Sequence, residues 1–120
     1  MLQTLHGLTV HVLDTEGAIL STGDDTSDLF GNAWYDHVDL LVVPAARLSP
    51  DFFDLSSGFA GEFLRKSANY GIRLAVLGDV SARLAASESF DAFVWESNRG
   101  NSVWFVSDAA ELDAKLARLG

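Results

Sequence analysis

Three unbroken apolar runs, DLLVVPA (39–45), IRLAVLG (72–78) and SVWFVS (102–107), constrain this chain more than any other feature. A strand with one wet face alternates apolar and polar residues, whereas a run apolar at consecutive positions is buried on both faces. Such strands belong to parallel sheets covered by helices. The intervening segments supply those helices. After Gly23, the acids Asp24, Asp25 and Asp28 accompany Leu29, Phe30, Ala33 and Trp34, which share one helical face. Early acids suit a helix N-terminus. Behind a Ser49-Pro50-Asp51 start, Phe52, Leu55, Phe59 and Phe63 recur at three- or four-residue steps. A further helix is expected within 81–97, with Ser87-Glu88-Ser89 as its candidate interruption. Asp108 and Glu111 form a capping-box pattern ahead of Leu112, Leu116 and Leu119.

The front of the chain reads differently. LTVHVL (8–13) alternates Leu8, Val10 and Val12 with Thr9 and His11, the pattern of a half-exposed strand. DTEG (14–17) supplies turn chemistry, so AILS (18–21) is expected to return as an antiparallel partner. The expected fold is a single α/β domain over residues 1–120, mostly parallel, with an antiparallel N-terminal hairpin at its edge. A chain of this length buries about two-thirds of the surface it exposes when unfolded.

Seventeen Asp and Glu against eight Lys and Arg give a net charge of −9. That balance repels phosphate backbones and anionic lipid surfaces, so neither nucleic acid nor a membrane is an expected partner. The N-terminus has no signal-peptide pattern and no apolar run is long enough to span a bilayer, which makes a cytoplasmic protein the expectation. The absence of cysteine excludes disulfides, zinc–thiolate sites and thiol nucleophiles. His6, His11 and His37 form no ligand pair at helical spacing, so no metal or other cofactor is expected.

Two clusters carry chemistry. In DLSSGFAGEF (54–63), Ser56 and Ser57 precede Gly58, an unusual trio for a helix interior. A helix continuous from Pro50 makes residues 56–61 a small-residue packing face; a helix restarting at Ser57 leaves room for an anion at its N-terminus. Gly58 and Gly61 do not form a phosphate loop, because the Gly-Lys-Ser/Thr ending is missing. In WESNRG (95–100), Glu96, Asn98 and Arg99 place an acid, an amide and a guanidinium within four residues. They read either as a helix C-cap or as a ligand-binding cluster completed by a strand-end acid such as Asp79. An acidic rim at the strand ends also suits a phosphoacceptor receiver domain, but Pro44 stands where the acceptor Asp would be. Ser57 lies in no Gly-x-Ser-x-Gly frame, so no nucleophile elbow is present and no catalytic residue is assigned.

Two resemblances rest on these residues. FFDLSSGFAGEFLRKSANYGIRLAVLGDVS and FDAFVWESNRGNSVWFVSD, with DLFGNAW upstream, resemble the bacterial family called domain of unknown function 4180 over nearly the whole chain. That family tends to have Gln-Lys-Phe in place of Arg65-Lys66-Ser67, and often Thr in place of Ser57. DLSSGFAGEFLRKSANYGIRLAVLGDVSARL is also similar to the core of STAS (anti-sigma factor antagonist) domains. The STAS resemblance implies a non-enzymatic regulatory module with a protein partner, switched by phosphorylation of the hydroxyl before glycine. Here that residue is Ser57, with Ser56 beside it and Gly58, Gly61, Glu62 and Arg65 as the partner surface. Leu55 separates Asp54 from the serines, where the STAS motif places its acid directly against them. The alternative expectation is a small-molecule binder or enzyme built on Glu96, Asn98, Arg99 and Asp79. A homo-oligomer is a further expected assembly.

Overall fold

The apolar runs form the strands expected of them. A computed structural model describes residues 2–119, with a five-stranded sheet in the spatial order β1-β2-β3-β4-β5. Strands β1 (Leu2–Leu5) and β2 (Leu8–Val12) are antiparallel. β2 is followed in parallel by β3 (Leu40–Pro44), β4 (Arg73–Leu77) and β5 (Val103–Val106). The helices are α1 (Gly23–Tyr35), α2 (Phe59–Tyr70), α3 (Ser81–Ala86), α4 (Glu88–Arg99) and α5 (Ala109–Leu119). No helix among the described residues is long and apolar enough to cross a membrane.

The pleat divides each apolar run between two cores. Leu41, Leu74 and Val103 are register partners facing α1, α2 and α4, as are Val43, Val76 and Phe105. The alternate residues Val42, Ala75 and Trp104 face α5, which covers them with Leu112 and Leu116. On the first face, phenylalanines fill the space between sheet and helices. The Phe52 ring is fully buried, with centroids 5.4, 6.3, 5.5 and 6.3 Å from those of Phe53, Phe59, Phe63 and Phe105.

The hairpin is present, but its partner strand differs from the expected one. β2 pairs with the upstream residues Leu2–Leu5, so β2 is an interior strand and His11 does not lie on an edge. The turn is His6-Gly7, with φ of 50° and 81°. Two successive positive φ values match the twist of an antiparallel pair, which favours such two-residue hairpin loops. His6 is held there by a 2.7 Å contact from Nε2 to Asp113 Oδ1 on α5. Residues 18–21 contribute only an isolated parallel bridge, Leu20 to Leu48. Arg47 secures this loop, donating from Nε to the Ala18 carbonyl (2.7 Å) and from Nη1 to the Asp14 carbonyl (2.9 Å).

The helix ends follow local chemistry. Thr22 and Asp25 form a reciprocal capping box at α1, while Ser87 caps α4 and divides it from α3 at the expected interruption. Asp108 accepts from Glu111 N (2.8 Å) at the start of α5. The segment after Pro50 is not one helix. Pro50–Phe53 and Leu55–Ser57 are separate 3-10 turns, and α2 begins only at Phe59.

Two outcomes follow from these contacts. Phe52→Ala should cost about 3–5 kcal/mol in urea unfolding, because the ring anchors both helix and sheet. At Asp25, hydrogen bonds from the Ser21 and Thr22 N–H groups hold the carboxyl below its usual range. A depressed folded-state value favours folding above the unfolded-state value, and that contribution fades as pH falls through the folded one. Asp25→Asn should therefore lower the melting temperature at neutral pH, with the difference from wild type shrinking under acid. Thermal melts across that range measure it.

Candidate functional site

Asp54 ends the first 3-10 turn and opens the second. Its Oδ1 accepts from Ser56 N (3.1 Å) and Ser56 Oγ (2.6 Å), a local arrangement that competes with a continuing helix. Gly58 then takes φ +80°, and a Cβ placed there would meet nothing within 4 Å. The glycine is thus needed for its backbone conformation rather than for space. Ser57 Oγ donates to the Asp51 carbonyl (2.6 Å) and accepts from Phe59 N (3.2 Å). The first ladder bond of α2 is Glu62 N to Gly58 O (3.0 Å), so the N–H groups of Phe59, Ala60 and Gly61 precede it.

This geometry lies close to the restarting helix and excludes a helix continuous from Pro50. It also overturns packing as the reason for the two glycines. Gly58 and Gly61 are exposed, and a Cβ at Gly61 would likewise meet nothing. Arg65 is exposed on the same helix. Glu62 is half-buried and turned elsewhere: a Cβ at Gly23 would lie 2.7 Å from Glu62 Oε1, which places this carboxylate at the N-terminus of α1. Glu62 therefore braces the α1–α2 contact.

The Glu96, Asn98 and Arg99 cluster is pinned at the end of α4. Asn98 Oδ1 accepts from Phe105 N (2.7 Å), an N–H on the outer edge of β5. The Asn98 carbonyl accepts from Lys115 Nζ (3.0 Å), and the Gly100 carbonyl from Trp104 Nε1 (2.8 Å). Arg73 Nε reaches the Asn101 carbonyl (2.9 Å). Lys115 of α5 thus satisfies a carbonyl that the helix C-terminus leaves open, and side chains of β5 and β4 satisfy two more in the connection that follows. Arg99 pairs at 3.4 Å with Glu96 and covers the Trp95 ring at 4.6 Å, both at the surface. The adjacent depression, about 210 Å³, is lined by Asn98, Arg99, Lys115 and Arg118 but not by Asp79.

Asp79 stands elsewhere, beyond the carboxyl end of β4, so the structure does not bring the four residues together. It lines a cleft of about 610 Å³ with Thr15, Ala45, Phe53 and Arg83. The Ser81 hydroxyl and N–H bond to its carboxyl and hold it below the usual aspartate range, so it is anionic at neutral pH. Gly78, at φ +143°, lets this strand end run past Ala45, whose Cβ would be 3.1 Å from a Cβ on the glycine. Sequence reasoning named Asp79 at a strand end but missed Arg83 and Phe53. Only tertiary packing places the Arg83 guanidinium 4.7 Å from the Phe53 ring centre.

A family model described as domain of unknown function (DUF4180) matches residues 5–116. The chain belongs to the DUF4180 family. No curated protein and no solved structure matches it. The DUF4180 match covers the α2 entrance, the α4 corner and the cleft together.

The corner yields a direct outcome for this DUF4180 chain. Asn98→Ala leaves the Phe105 N–H without its acceptor and should cost about 1–3 kcal/mol in chemical unfolding. Asn98→Asp keeps an acceptor oxygen and should cost less.

Proposed function

We propose that this protein is a non-enzymatic regulatory or protein-interaction module, STAS-like in its organisation, with Ser57 as its phosphoacceptor. The observation that carries this reading is the start of α2 at Phe59, just beyond an exposed Ser57 whose Oγ already accepts from Phe59 N. A phosphoryl group on that oxygen would sit beside the N–H groups that precede the helical ladder and at the positive end of the helix. The exposed residues Ser56, Gly58, Gly61 and Arg65 are the proposed docking surface for a protein partner or a second copy. A net charge of −9 suits a basic partner and disfavours nucleic acid and anionic membranes. A bacterial cytoplasmic setting belongs to the same proposal.

The hydroxyl is also a tether. Transfer of a phosphoryl group from ATP on a partner kinase forms the Oγ–P bond, releases ADP and removes the hydroxyl proton. The Ser57 donor to the Asp51 carbonyl is then lost, and with it a tie on the turn that carries Phe52 and Phe53. Asp51 and Asp54 stand near the new negative charge and oppose it. Modification thereby changes both the charge and the backbone support of the proposed surface.

Affinity capture from the native cell extract with wild type, Ser57→Ala and Ser57→Asp, each read by mass spectrometry, tests the switch. Ser57→Asp should gain a partner absent from the other two or lose one that they share. Identical partner sets for all three would remove it.

A further inference from the structure

We propose that the cleft beyond the carboxyl ends of β3 and β4 binds a small zwitterion of the α-amino-acid class, its ammonium on Asp79 and its carboxylate on Arg83. Ligands of open parallel sheets collect at this end of the strands. Asp79 and Arg83 both line the cleft, yet neither belongs to the ion pairs found among the described residues, His6 with Asp113 and Arg99 with Glu96.

Their separation is the informative feature. Asp79 lies ahead of α3 rather than on it, so the i,i+4 pairing of a helix face is not open to it and Arg83. Here each group has a different local support. Asp79 Oδ1 accepts from Ser81 N (2.9 Å), ahead of α3, while the Arg83 guanidinium lies 4.7 Å from the centre of the Phe53 ring. A carboxylate offers about four acceptor sites, so the Ser81 donors leave capacity for an ammonium group. Stacking engages the face of a guanidinium and leaves its edge of N–H donors to take a carboxylate in a forked pair. Two opposite charges held apart in one cleft match a ligand that carries both. The remaining wall includes Pro44, Leu77 and Val80, which selects an apolar side chain on the ligand.

The inference stands independently of Ser57. Amide NMR spectra of the full chain, titrated with L-leucine, L-methionine and L-phenylalanine, test it. At least one should give saturable shifts at the Ala45, Gly78 and Val80 amides. For the best of them, relatives lacking either the amino or the carboxyl group should bind about tenfold more weakly or worse. Asp79→Asn, which keeps an acceptor for Ser81, and Arg83→Gln should each weaken binding by a similar factor while retaining dispersed spectra. Absence of saturable shifts up to about 10 mM of all three amino acids would overturn the proposal. Equal binding by the single-charge relatives, or unchanged affinity in both variants, would overturn it as well.

Discussion

Everything in this fold depends on the parallel strands being laid down in one direction. From β2 to β5, each strand pairs with the one that follows it in the chain. Right-handed crossovers between such neighbours put every connecting helix on the same side of the sheet. The first face therefore receives α1, α2 and α4 and the large phenylalanine core. Only α5, which connects to no later strand of the sheet, covers the second face. Burying each large apolar side chain on either face contributes about 1.5–3 kcal/mol, and the pleat of three short runs delivers such residues to both sides at once.

That arrangement explains which parts were legible in the sequence. β3, β4 and β5 announce themselves because two buried faces leave no room for polar alternation. The α5 start at Asp108 and the break at Ser87 are equally plain, since caps are local chemistry. β1 is not legible. LQTL is short and half-exposed, and its turn uses His6 in a left-handed conformation where Asn or Asp is the familiar signal. The expected return strand at 18–21 had suitable residues, but the interior position of β2 leaves no edge for it, and Arg47 holds that loop instead.

The candidate sites divide along a similar line. At Ser56 and Ser57 the sequence posed a continuous helix or one restarting at Ser57, and the structure takes neither: Gly58, whose positive φ interrupts the backbone, moves the start of α2 to Phe59. At Asn98 the sequence could not choose, because a cap, an edge-strand acceptor and a ligand group all use the same amide. Recognising its role needs the knowledge that β5 is an outer strand with an N–H to satisfy. By occupying that N–H, Asn98 also blunts an edge that another chain could otherwise extend. Asp79 was named from the sequence, but its place in one cleft with Arg83 was hidden for a different reason. Their separation depends on a phenylalanine thirty residues earlier in the chain.

The lone helix on the second face carries a consequence for how the protein is made. Ribosomal synthesis releases the chain from its N-terminus, so β5 and α5 are the last elements of this domain to emerge. Until they do, Val10, Leu40, Val42 and Ala75 have no helix to cover them, because their cover is α5 itself. Any sheet that forms before then is uncovered on that side, and the second core can close only once residues 109–119 have emerged. A truncation that removes this one helix spares every strand and still strips the entire second face.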